Sequence, residues 1–141
     1  MKKLTSIFLL LFLLSCSSKK VTSKSTDLYQ ILIANDFGGA TFKFYEIISQ
    51  EDEFKILLSD DILKKYVKKD DIQNANFVLL NLGEKPTEGY AVKIVKVEEL
   101  LDKIIVTLKE IEPNSGTMTA SVITRPYAVL KINSKKPIEI K

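Results

Sequence analysis

The chain has 141 residues, with 21 basic and 18 acidic side chains and a formal net charge of +3. It holds no histidine and a single cysteine, Cys16. Ser-His-Asp and Cys-His catalysis therefore lack their parts, zinc loses both of its preferred ligands, and no internal disulfide can form.

Lys2 and Lys3 precede an apolar run, Ile7 to Leu14, which closes on Ser15-Cys16. A charged n-region, a short h-region and a small residue are the layout of an export signal. From Leu4 to Leu14 a helix would reach only about 16 Å, well short of a hydrocarbon core of roughly 30 Å. Leu13-Leu14-Ser15-Cys16 resembles the lipobox of bacterial lipoproteins, which implies cleavage before Cys16 and acylation of its thiol. One acyl chain binds a membrane marginally, and two or three hold firmly. Residues 1–15 are thus read as signal peptide and 16–26 as the lipidated cysteine and a polar tether (SSKKVTSKST). Loss of Lys2 and Lys3 leaves 19 basic against 18 acidic residues, near +1, so the sequence offers no basic face for nucleic acid. Ser17 in place of aspartate after the lipidated residue fits sorting to the outer membrane of a Gram-negative envelope.

Residues 27–141 are long enough for one domain. Leu28 to Ala34 and Thr41 to Ile48 read as strands around the Asn35-Asp36 and Gly38-Gly39 turn signals. Ser49 offers an N-cap, and Phe54, Leu57 and Leu58 place an amphipathic helix over about 50–58. A second short helical stretch carries Ile62, Leu63, Tyr66 and Val67, followed by Lys68-Lys69-Asp70-Asp71, a solvated cluster of cancelling charge. Phe77 to Leu82 is continuously apolar and suits a strand buried on both faces. After the Gly83 to Gly89 loop come strands at Tyr90 to Val97 and Lys103 to Ile111, a turn at Pro113 to Gly116, and strands at Met118 to Ile123 and Tyr127 to Ile132. Proline cannot donate to a ladder, so Arg125-Pro126 marks a bulge, an edge or a switch between strands. A short tail, Ile138 to Ile140, follows. The sum is a mainly β (α+β) domain: an antiparallel β-sandwich or partly closed barrel with one or two short helices inserted early.

No positive sign of catalysis is present. Asp60-Asp61 and Asp70-Asp71 are adjacent pairs whose side chains diverge, so no metal site is expected, and no cofactor motif occurs. The Ser-x-x-Lys at Ser17 to Lys20 lies in the tether. A pair of carboxylates facing across a cleft could still do acid-base work.

Two segments stand out: Gly83-Glu84-Lys85-Pro86-Thr87-Glu88-Gly89-Tyr90 and Thr124-Arg125-Pro126-Tyr127. With Glu110-Ile111-Glu112-Pro113 between them, their order and gaps resemble the C-terminal domain of the PrcB family of protease complex subunits. The resemblance is sharpest over about Phe77 to Ile132. Many relatives carry a cysteine after the Pro-Gly turn, where this chain has Gly116-Thr117-Met118. The resemblance implies a lipoprotein or secreted accessory subunit that associates with an envelope protease and helps its assembly or stability; together with the lipobox it gives the expectation of a non-catalytic, lipid-anchored protein that binds an envelope protease or another protein partner. Gly83, Lys85, Pro86, Thr87, Glu88, Gly89, Tyr90, Thr124, Arg125, Pro126 and Tyr127 are the candidate contact residues. The same residues also have an architectural reading, as a tight loop and a strand corner. The alternative function is small-ligand or glycan binding, with the 83–90 loop as the mouth of a pocket beside Tyr90 and Tyr127.

Overall fold

A computed structural model describes residues 28–116 and 118–141; the segments expected to be an export signal and a tether, with Cys16, lie outside the described residues. Two sheets are present. The first is antiparallel, in the order β1 (Tyr29–Asn35), β6 (Tyr127–Ile132), β3 (Asn76–Leu82), β2 (Lys43–Ile48). The second runs β4 (Ala91–Glu99), β5 (Ile104–Ile111), β7 (Ile138–Ile140), with β7 parallel to β5. Helix α1 (Glu51–Ser59), a 3-10 turn (Leu63–Lys65) and helix α2 (Asp71–Asn74) connect β2 to β3.

The arrangement is three-layered: helices, four-stranded sheet, three-stranded sheet. β3 explains why. Phe77 packs with Phe54, Leu57 and Ile72 on the helical side, while Val78 and Leu80 face Ile104 and Val106 of the second sheet. The strand's unbroken apolar run is what burial on both faces requires. The result is a sandwich with a helical cover and no closed barrel.

Two of the outer strands, β1 and β4, carry a bulge. In β4 the shift between Ile94 and Lys96 lets Ile94 and Val97 both reach the inter-sheet core and turns Val95 outward. An extra residue of this kind also spoils an edge for pairing with another chain.

Four expectations change. The residue at the N-cap of α1 is Gln50 rather than Ser49, and Glu53 is the side chain that reaches back, accepting from Ser49 N–H at 3.2 Å and Gln50 N–H at 3.3 Å. The charge cluster is not wholly solvated. Asp71 starts α2, accepts from Lys68 N–H at 2.9 Å and pairs with Lys131 of β6 at 2.7 Å, both side chains being mostly covered. Burial works against that carboxylate, yet the bonds from Lys131 and Lys68 N–H hold it below its ordinary range. Met118 to Ile123 is not a strand; it runs irregularly with Met118, Val122 and Ile123 exposed. The tail Ile138 to Ile140 is a strand of the second sheet.

The sheets define two ends. Tyr29, Ile132 and Asn76 share one register row at the proximal end, where β1 begins. Asn35, Tyr127 and Asn81 share the row at the distal end. Loops 36–42, 83–90 and 112–126 meet at that distal end.

Candidate functional site

The distal end is built around one buried amide. Asn81 is 1% exposed, at the end of β3. Its Oδ1 accepts from Ala40 N–H at 3.0 Å, and its Nδ2 donates to the carbonyls of Ala40 at 3.2 Å and Phe42 at 2.5 Å. Loop 36–42 is thereby held against β3. Gly39 passes so close that a Cβ there would sit 2.6 Å from Arg125 O and inside contact of Asn81 Oδ1. Its N–H donates to Arg125 O at 3.1 Å, and Arg125 N–H donates to Asp36 O at 2.9 Å. Leu82 N–H donates to Pro126 O at 3.0 Å, so Pro126 joins the sheet through its carbonyl and its missing N–H costs nothing.

The two segments singled out in the sequence are joined. Lys85 and Thr124 exchange backbone bonds, N–H to O, at 2.8 and 3.0 Å. Thr124, 1% exposed, donates its hydroxyl to Thr87 O at 3.0 Å. Arg125 donates from Nε and Nη2 to Glu84 Oε2 at 3.1 and 2.8 Å. Lys85 Nζ lies 5.2 Å from the centre of the Tyr90 ring, within cation–π range. Gly83 has φ +73°, a conformation only glycine adopts freely, and its α-carbon backs onto Lys43. Gly83, Thr124 and Pro126 are buried; Lys85, Thr87, Tyr90, Arg125 and Tyr127 are half-covered; Pro86, Glu88 and Gly89 are exposed.

Glu110 of β5 links this end to the outer strand of the first sheet. It accepts from Lys43 Nζ and, at 2.9 Å, from Tyr45 Oη. The Lys43 bond, helped by Tyr45 and by the charge of Lys85, holds its carboxyl below the usual range against the effect of partial burial. Burial, and then the bond to Glu110, pushes the Tyr45 phenol up to about 12. Burial and the charge of Asp60 raise Tyr127 as well.

Phe37, Phe42 and Ile123 are members of this cluster that sequence reasoning passed over, and Glu84 and Glu110 are members that it quoted within motifs but did not name as contact residues. Phe42 is 66% exposed, its ring 5.2 Å from Phe44, and Phe37 and Ile123 are also exposed. The available signal was two phenylalanines flanking Gly38-Gly39, where a turn needs no apolar side chain.

Among the described residues no Asp or Glu side chain is buried, and every carboxylate whose affinity for protons shifts moves downward. A general acid needs the opposite. A cleft bordered by Asn35, Asp36, Val92 and Tyr127 measures about 90 Å³, whereas sites for drug-sized molecules start at roughly 300 Å³.

Two outcomes follow for the cluster. Thr124→Val keeps the shape and removes the hydroxyl, leaving Thr87 O without its donor. We expect a loss of about 1 kcal/mol and faster amide exchange at Lys85 and Thr124. Glu110→Gln should cost about 0.5 kcal/mol, since the pair with Lys43 is half-exposed. A carboxylate held low when folded contributes fully above the ordinary carboxylate range, and its contribution fades as pH falls through the folded value. The variant's melting temperature should therefore converge on that of the parent in acid and separate from it at neutral pH.

Residues 76–133 match the family model described as PrcB C-terminal. That span begins at β3 and ends just past β6, so it takes in both loop segments and Glu110 and omits β1, β2 and the helices. An uncharacterized protein of Methanocaldococcus jannaschii is 38% identical over 68 residues, which is 48% of this chain and 41% of that protein. The match thus spans less than half the length of that relative. No solved structure matches the chain.

Proposed function

We propose, on the premise that the chain belongs through residues 76–133 to the PrcB C-terminal family, that it is a non-catalytic accessory subunit of an envelope protease assembly. A lipid on Cys16 would hold it at the membrane, in the outer membrane of a Gram-negative envelope. The distal end would meet the partner. The supporting observation is the way the two family segments are joined there. Buried Gly83, Thr124 and Pro126 fix the backbone, while Glu84, Glu88 and the half-exposed Arg125 present a preordered polar surface beside exposed Phe37, Phe42, Pro86 and Ile123. A rigid polar rim around apolar side chains is how protein interfaces are composed. The cleft beside Tyr127, at about 90 Å³, is small for a ligand or glycan held there, which supports this reading at that spot.

The test is a photoreactive side chain at Pro86 or Glu88, crosslinked in intact cells and compared with the same probe at exposed Ile56 of α1. A protease component enriched at the distal probes is the expected result. No protein enriched over the Ile56 control would end the proposal. The anchor has its own test: Cys16→Ala protein that carries no acyl group and still withstands a salt wash on membranes, with its signal segment removed, would contradict it.

A further inference from the structure

We propose that the tip of the β4–β5 hairpin, Leu100-Leu101, is a second membrane contact that seats the proximal end of the domain on the lipid surface. The inference rests on the lipid anchor at Cys16 set out above.

Leu101 is 91% exposed and Leu100 39%. They stand at the apex of a tight turn closed by Leu100 N–H donating to Lys103 O at 2.8 Å. Such turns are built from Gly, Asn, Asp and Ser, a part Asp102 can play here, and the leucine side chains contribute nothing to the turn itself. Their value lies in what they can be pressed into.

Position says what that is. The tip lies at the proximal end: Lys136 Nζ donates to Leu100 O at 2.7 Å, Lys136 O accepts from Asn76 Nδ2 at 3.0 Å, and Asn133 N–H donates to Leu28 O at 2.8 Å. The chain therefore enters the domain on the same end that carries the leucines. Cys16 and Leu28 are twelve positions apart, and a chain of that length spans at most about 40 Å. An acylated Cys16 is attached at this end; a tether of that length, longer than the roughly 23 Å of the seven-residue β1, does not by itself set the orientation, and the leucine tip is the contact that would.

Charge permits the approach. Glu99 is paired with Lys136 at 3.0 Å, Glu139 with Lys103 at 2.6 Å, and Glu98 with Lys96 at 2.5 Å. Those three carboxylates are thus offset by lysines, while exposed Asp102, beside Leu101, adds a negative charge that is tempered by the neighbouring Lys103. Lysine stems around exposed leucines are a composition that settles at a lipid interface.

The chain contains no tryptophan, so Leu101→Trp installs a single fluorophore at the tip, and Phe42→Trp installs one at the distal end as control. Both full-length, lipidated proteins are reconstituted on vesicles of phosphatidylethanolamine and phosphatidylglycerol, with and without brominated acyl chains. Flotation reports the anchor; fluorescence reports the tip. We expect both proteins to float, the Leu101→Trp emission to shift to shorter wavelength, and its quenching by brominated lipid to exceed that of Phe42→Trp several-fold. Flotation with an unquenched tip overturns the second contact and leaves the anchor standing. Failure to float overturns both. A blue shift without brominated-lipid quenching would mean that the tip is covered by protein, and equal quenching at both ends would mean indiscriminate adsorption; either result overturns the proposal.

Discussion

Phe77→Ala is expected to destabilise the domain by about 4 kcal/mol, the usual range for emptying a fully buried aromatic site. Phe77 is completely buried and stacks on Phe54 of α1 with ring centres 4.7 Å apart. It sits on the middle strand, opposite Ile48 of β2 and Lys131 of β6. Little around it can collapse into the space, because β3 is fixed on both sides by hydrogen-bonded strands. In a domain of this size the loss corresponds to a melting temperature lower by about 15 °C. The helical cover should suffer first, since Phe54 loses its stacking partner and α1 is only nine residues long. Circular dichroism should show helical signal fading below the main transition, whereas a loss confined to the sheets would contradict the three-layer packing.

The second large effect is expected from Asn81→Ala, at about 3 kcal/mol. The substitution leaves one N–H and two carbonyls of loop 36–42 without partners in a place water reaches poorly, and each such loss costs about 1 kcal/mol or more. Gly39→Ala should produce much of the same damage by another route, driving its new methyl group against Asn81 Oδ1 and Arg125 O. The two changes break one node, so the double variant should be less unstable than the sum of the singles. Equilibrium urea unfolding of the four proteins measures this. Strict additivity would mean that the glycine and the amide act separately. Because Arg125 is hung from the same loop, both variants should also weaken crosslinking from Pro86.

Much of the fold was legible before any coordinates. The continuous run in β3 announced two buried faces, and the Phe54-Leu57-Leu58 spacing announced the helix. Arg125-Pro126 was marked as a discontinuity, and it is where the chain enters the first sheet. What could not be read depended on partners distant in sequence. Met118 to Ile123 has the composition of a strand, but no strand lies beside it; its contacts to the neighbouring loop are Glu88 N–H to Ala120 O at 3.4 Å and the bridge at Thr124. β-Propensity without a partner does not make a strand. Asp71 looked solvated because its partner, Lys131, lies sixty positions away. The parallel pairing of β7 with β5 was hidden for a related reason: the chain changes sheets between Ile132 and Ile138, and no turn signal encodes direction. At the distal end the two family segments were identified by pattern; of the residues that position them, Asn81 carried no motif of its own, Gly39 was marked only as part of a turn signal, and Glu110 only as the first residue of Glu110-Ile111-Glu112-Pro113.

The bond from Leu82 N–H to Pro126 O has a further implication for how such domains can diversify. It places the exit from β3 and the entry to β6 side by side, so everything from Gly83 to Arg125 leaves the first sheet and returns to the same spot. In topological terms that excursion is an insertion, grafted at a single junction that the Lys85–Thr124 bridge closes like a zipper stop. Relatives can therefore lengthen, shorten or retip the β4–β5 hairpin while β1, β6, β3 and β2 keep their register. Variation in chain length among them should be concentrated inside the graft, with the junction residues Gly83, Thr124 and Pro126 held in place.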